Sequence, residues 1–148
     1  MKNAKILFVC SANVGRSQMA EAFFNALAGS DLASSAGASA RLKKYEGRTI
    51  GEAGPKVTKA MRELGFDVSA RESKQLTREA AESANIIVFM TSLDEMPDYL
   101  RNNPKMRIWE IKDPADEDFD STLRIAKQIR SLVETLAAEI GDIETERE

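Results

Sequence analysis

The sequence predicts an α/β fold, a four-stranded parallel sheet sandwiched between layers of helix. Three observations predict it. A short apolar run, Ile6-Leu7-Phe8-Val9, is followed closely by a helix-periodic stretch from Met19 to Ala28. A continuous, β-branched run, Asn85-Ile86-Ile87-Val88-Phe89-Met90, suits a strand buried on both faces. Strand and helix patterns then alternate along the chain, which is the order a parallel sheet with right-handed crossovers requires.

Taken in order, the first strand is expected over residues 5–9. The first helix is expected over 16–28, with Met19, Phe23, Ala26 and Leu27 at core-facing spacing and Gly29 as its stop. Residues 32–38, Leu-Ala-Ser-Ser-Ala-Gly-Ala, read as a strand of small residues, which allows two backbones to approach closely. Residues 39–54 are polar and carry Arg41, Lys43, Lys44 and Arg48; they read as one long loop, and such loops are often functional. A helix is expected over 55–64, with Pro55 at its start and Gly65 past its end. Its stripe of Val57, Ala60, Met61 and Leu64 reads as core packing and nothing more.

Thr77 is placed to cap a short helix over 78–83. After the strand at 85–90, Ser92-Leu93-Asp94-Glu95 has the spacing of a capping box. Residues 107–111 read as the fourth strand, with Trp109 packed. Leu123, Ala126, Ile129, Val133, Leu136 and Ile140 recur at helical spacing and predict a last helix over 119–140. Gly141 would close it, and 142–148 would be a frayed, charged tail. Residues 1–141 thus read as a single domain, without repeat or linker.

Composition bounds the function. A chain of 148 residues can bury a real core. A net charge of −3 argues against nucleic acid or an anionic membrane as partner. No stretch is apolar for long enough to span a bilayer, and the N-terminus lacks a signal-peptide pattern. One cysteine excludes an internal disulfide and fits a reducing, cytoplasmic setting. The chain has no histidine, which removes a Cys–His or Ser–His relay and the usual zinc sites, and no metal site is expected. Acid–base work must fall to Asp, Glu, Lys, Tyr or the thiol.

The chemistry concentrates in Cys10-Ser11-Ala12-Asn13-Val14-Gly15-Arg16-Ser17, between the first strand and the first helix. Five residues between Cys10 and Arg16 suffice to curl round one tetrahedral oxyanion with the N–H groups of Ser11 to Arg16 turned inward. The helix start adds partial positive charge at the same spot. Arg16 offers a planar fork that matches two oxygens at once. A thiol in that field ionises readily, so Cys10 is expected as the reactive thiolate. Asn13 and Gly15 tolerate the left-handed angles such a cradle needs, and the Ser17 hydroxyl is placed to reach the sulfur. A free cysteine at a strand end is otherwise an ordinary buried residue; the spacing to Arg16 and the strand–loop–helix setting favour the anion site. Asp113 follows the fourth strand, and Pro114 holds it extended. Ligands of parallel sheets bind beyond the carboxyl ends of the strands, so Asp113 and Cys10 should share a rim. Asp-Pro is also a common turn opener, and Asp116, Glu117 and Asp118 are near enough to be rivals.

The loop resembles that of the low-molecular-weight protein tyrosine phosphatases, Cys-x-Gly-Asn-x-Cys-Arg-Ser-Pro, a superfamily shared with small thiol-dependent arsenate reductases. Cys10, Asn13, Arg16 and Ser17 match; Ala12, Gly15 and Gln18 depart. Gln18-Met19-Ala20-Glu21 is closer to the reductase branch. Ser35-Ala36-Gly37, the segment 71–77 and Asp113-Pro114 extend the resemblance over nearly the whole chain. It implies a Rossmann-like or flavodoxin-like three-layer sandwich with strand order 2-1-3-4, and no cofactor. It implies that residues 39–54 wall the substrate cleft, with Tyr45 on that wall.

The resemblance further implies a phosphomonoester hydrolase of the protein-tyrosine type. Cys10 would be the nucleophile, Arg16 the clamp and Asp113 the general acid. Ser11, Ala12, Asn13, Val14, Gly15, Arg16 and Ser17 would bind the phosphate. The substrate would be a phosphorylated protein or a small phosphomonoester, with inorganic phosphate, arsenate and vanadate as further ligands. Many members carry an aromatic residue where this chain has Ala115. Family reductases carry resolving cysteines near the third strand, and this chain has none. An arsenate reductase built on it would use an external thiol: glutathione, mycothiol or a thioredoxin-like protein. A non-catalytic oxyanion-binding protein that keeps the loop is the third reading.

Overall fold

A computed structural model describes residues 4–29, 31–45 and 47–147; the side chains of Ala40, Arg41 and residues 142–148 lie outside the described residues. Four parallel strands, β1 (Ile6–Cys10), β2 (Ala33–Gly37), β3 (Ile86–Phe89) and β4 (Met106–Ile108), form one sheet in the order β2-β1-β3-β4. Helices α1 (Arg16–Ala28), α2 (Ile50–Ala53), α3 (Pro55–Glu63), α4 (Arg78–Ser83) and α5 (Phe119–Arg147) cover it. The three-layer sandwich and its strand order are as expected.

β1 is central because every residue in it is buried. Its side chains alternate between two cores, as strand geometry dictates. Ile6, Phe8 and Cys10 join α1, α3 and α5 on one face. Leu7 and Val9 join Ile87, Phe89, Ala81 of α4 and Leu100 on the other. Full burial of such a side chain contributes about 1.5–3 kcal/mol relative to leaving it exposed, so a continuous apolar run can occupy only the middle of the sheet. Trp109 packs on Phe8 with ring centroids 5.8 Å apart.

Several elements differ from expectation for local reasons. Residues 39–54 are not one loop: they hold a 3-10 turn, Ala40–Tyr45, and the short α2. Thr49 and Glu52 form the capping box that starts α2, while Ser92 and Glu95 do not form one. The Glu95 carboxylate instead accepts from Thr91 at 2.6 Å and from Ser11 at 3.0 Å. Ala26 and Leu27 face outward, Leu27 at 54 % exposure, because the last turn of α1 projects past the region that covers its first turns. α5 continues through Gly141 instead of ending there. Thr77 caps α4 as expected, accepting from the Ala80 N–H at 3.1 Å.

Candidate active site

β1 delivers Cys10 to the carboxyl edge of the sheet, and the chain turns through 11–15 into α1. Asn13 takes the left-handed conformation, φ 57°. Gly15 does not, with φ −110°; a Cβ there would stand 3.0 Å from Pro114 Cγ, a tight approach that glycine avoids. Gly37 at the end of β2 is a second close approach, where a Cβ would lie 2.7 Å from the Ser11 carbonyl oxygen. The small residues of β2 thus let the loop lie flat on the sheet edge. The Ala38 and Ser39 N–H groups donate to the Cys10 and Ser11 carbonyls at 2.9 and 3.0 Å. The N–H groups of Ser11, Ala12, Asn13, Val14 and Gly15 donate to no backbone carbonyl among the described residues. A run of such amides at the head of a helix is an anion nest.

The sulfur has a defined partner. Cys10 Sγ lies 2.9 Å from Ser17 Oγ. Asn13 Nδ2 donates to the same Ser17 oxygen at 2.7 Å. The Lys74 backbone N–H, which can only donate, meets Asn13 Oδ1 at 2.8 Å and fixes which end of that amide faces Ser17. With its oxygen accepting from Asn13, Ser17 has its hydrogen free to aim at the sulfur. Cys10, Asn13, Arg16 and Ser17 are all buried.

Arg16 is held in a carbonyl cage. Its Nη1 donates to Met90 O at 2.6 Å and to Ile111 O at 3.1 Å, the chain just beyond β3 and β4. Its Nη2 lies 3.5 Å from Asp113 Oδ2, an ion pair that brings two of the expected site residues together. Asp113 Oδ1 accepts from the Ala115 N–H at 2.9 Å, the turn that Asp-Pro opens. Two of the rivals are engaged elsewhere: Glu117 pairs with Lys112 at 2.6 Å, and Asp118 accepts from the Ser121 N–H at 2.8 Å to cap α5, while Asp116 is exposed.

Cys10, Arg16 and Asp113 open on one cleft of about 150 Å³, lined also by Ser11, Ala12, Val14 and Gly15; Asn13 and Ser17, expected among the phosphate-binding residues, do not line it. Tyr45 stands on one wall and Asp113, Pro114 and Ala115 on another. Pro55, Lys56 and Val57 also line it, although α3 reads in sequence as core packing alone. The signal was present in Gly54-Pro55: a helix that begins at the sheet rim points its first turn into the cleft. A further part was not legible at all. The segment 71–75 backs the loop, with Ser73 Oγ donating to Asn13 O at 3.1 Å and the Gly37 N–H donating to Lys74 O at 2.8 Å. Below it, Glu21 in α1 is buried, accepts from Ser35 Oγ at 3.0 Å and pairs with Arg71. Burial, and then the neighbouring Arg71 charge, push the Lys74 ammonium below its ordinary value.

Residues 5–145 match the family model described as low molecular weight phosphotyrosine protein phosphatase. Arsenate reductase 1 of Staphylococcus haemolyticus is 32% identical over 142 residues, covering 92% of this chain and 99% of that one. The low molecular weight protein tyrosine phosphatase from T. tengcongensis superposes with a TM-score of 0.76 at 25% identity, covering 92% and 99% of the two chains. An arsenate reductase solved in a phosphate-binding state gives a TM-score of 0.76 at 25% identity, covering 93% and 98%. Among the described residues no helix is long and apolar enough to cross a membrane.

Proposed function

The chain belongs to the family of low molecular weight phosphotyrosine protein phosphatases, and on that premise we propose a phosphomonoester hydrolase that works through a phosphocysteine. Cys10 Sγ attacks phosphorus in line with the leaving oxygen. The loop amides and the Arg16 N–H groups outside the carbonyl cage hold the three other oxygens, where charge gathers in the transition state. Asp113 gives its proton to the leaving oxygen as the P–O bond breaks. Its carboxylate then takes a proton from water, which attacks phosphorus and releases phosphate and the thiolate. The Ser17 hydroxyl stabilises the sulfur as nucleophile and again as leaving group.

The observation that carries this reading is the convergence of Cys10, Arg16 and Asp113 on one cleft, with the Ser17 hydroxyl on the sulfur. Phosphorylated proteins or small phosphomonoesters are the substrates it fits, in a reducing compartment such as the cytoplasm. Cys10→Ser tests it: the variant should bind phosphate or vanadate and turn over no p-nitrophenyl phosphate. Appreciable residual hydrolysis would remove Cys10 as nucleophile.

Arsenate reduction is a second reading, favoured by the relatives' names and by Gln18-Met19-Ala20-Glu21. Cys10 would displace hydroxide from arsenate to give an As–S bond. An external thiolate would attack Cys10 sulfur, arsenic would leave as arsenite with two electrons, and a second external thiol would reduce the mixed disulfide. Both external thiols are needed because the chain has one cysteine. Arsenate-dependent consumption of glutathione, mycothiol or a thioredoxin, set beside the phosphatase assay, separates the two.

A further inference from the structure

Gln18 sits two residues into α1 and is wholly buried. It does not line the cleft, and the proposed chemistry makes no use of it. Its Nε2 lies 3.3 Å from Asn13 O, 3.1 Å from Asn13 Oδ1 and 3.2 Å from Glu72 O. Three acceptors around one nitrogen fix the amide, because a reversed amide would set its oxygen against three oxygens. The other end has no such company: Gln18 Oε1 is buried with no hydrogen-bond partner among the described residues. A buried acceptor left unpaired is unfavourable, and in a native structure it asks for a reason.

The donor end supplies the reason. Asn13 is the left-handed residue of the loop, and its Nδ2 holds the Ser17 oxygen that faces Cys10. Gln18 is the only side chain that hydrogen-bonds both oxygens of Asn13 among the described residues, and it joins that residue to the carbonyl of Glu72 in the backing segment. Ser73 Oγ reaches only the backbone oxygen, and the Lys74 N–H only the side-chain oxygen. Gln18 therefore couples backbone conformation and amide orientation in one residue.

We propose that Gln18 is a positioning residue that locks Asn13 so that the Ser17 hydroxyl stays aimed at Cys10, and thereby sets the reactivity of the sulfur. It acts through Asn13 and Ser17 and touches no substrate. The inference rests on the phosphatase reading only for its effect on turnover; its effect on the thiol stands apart.

The test measures the rate of Cys10 alkylation by iodoacetamide at neutral pH on the full chain. Two volume-conserving variants are used. Gln18→Met removes both donors, and Gln18→Glu replaces the donor with a charged acceptor facing the same three oxygens. Alkylation should slow by about tenfold in Gln18→Met, the scale of one lost charge-assisted hydrogen bond, and by more in Gln18→Glu. The decisive comparison is Ser17→Ala against Ser17→Ala/Gln18→Met. Once the hydroxyl is gone, the second change should slow alkylation no further. Additive slowing, or wild-type alkylation in a folded Gln18→Met, overturns the proposal and leaves Gln18 as packing. Where Gln18→Met does not fold by circular dichroism, the isosteric Gln18→Glu decides by the same cycle. A wild-type chain that hydrolyses no p-nitrophenyl phosphate, yet shows this coupling, sinks the phosphatase reading and keeps the inference.

Discussion

The loop that carries Cys10 and the loop that carries Asp113 meet across one cleft, and they are held in different ways. In the Cys10 loop, Cys10, Ser11, Asn13 and Arg16 are buried, and the loop is bonded to distant parts of the chain: residues 37–39, 73–74, Met90, Glu95 and Ile111 all contribute. The Asp113 loop leaves its carboxylate 40 % exposed and is shaped mainly by bonds to its own near neighbours, Ala115 on Asp113 and Glu117 on Pro114. Longer-range ties also reach it. Lys56 donates to the Glu117 carbonyl, Pro114 packs on Gly15, and Asp113 meets Arg16. An anion cradle must hold its donors fixed before charge develops. An acid that serves different leaving groups gains from a position that can adjust. On the proposed mechanism, the contrast makes the Cys10 half of the site the precise one and the Asp113 half the accommodating one.

The largest expected effect separates the two loops. Asp113→Asn should slow phenyl phosphate by about 10²–10⁴-fold, the usual scale of positioned proton transfer, and p-nitrophenyl phosphate, whose leaving group needs little protonation, by less than about tenfold. Equal losses on both substrates would transfer the acid role to a neighbour such as Asp116 and erase the division of labour.

A smaller effect probes the point where the loops touch. Gly15→Ala adds a methyl 3.0 Å from Pro114 Cγ. The displaced side should be the less anchored Asp113 loop. Phenyl phosphate turnover should fall by about tenfold, a scale set by the sensitivity of catalysis to sub-ångström misplacement, while Cys10 alkylation keeps its wild-type rate. Altered alkylation with unaltered leaving-group dependence would show that the cradle is the softer half.

The smallest effect is on stability. The Ser121 backbone N–H, then its hydroxyl, hold the Asp118 carboxyl below its ordinary range where the Asp113 loop enters α5. A carboxylate depressed in the folded state adds stability above its unfolded value, near pH 4. That contribution disappears as pH falls through the folded value. The thermal midpoint of Asp118→Ala should therefore lie below wild type at pH 6, and the gap should close as pH falls through the folded value. A gap that persists in acid would mean the residue works by packing and not by charge.

What was legible in the sequence follows the same contrast. Local signals were readable: α1 and α4 fall where expected, Thr77 caps α4, and Asn13 takes the angle its side chain favours. The Ser92–Glu95 spacing misled because a capping box is a local pattern that tertiary demand can override. Glu95 is drawn to Ser11 and Thr91, and the box forms at Thr49–Glu52. Leu27 misled because periodicity marks a helix face without saying how far the covering layer extends.

By itself the sequence determined the strand–loop–helix that presents one thiol, the five-residue span to a guanidinium, and the alternation that makes the sheet parallel, because each depends on spacing and backbone preference within a few residues. Only the tertiary structure decided which backbone carbonyls cage Arg16, that Gln18 and the segment 71–75 grip Asn13, and that the first turn of α3 walls the cleft. Gln18 and Asn13 are only five positions apart, but the other pairings join residues tens of positions apart, and their partners include backbone atoms that every residue carries, so no side-chain pattern could announce them.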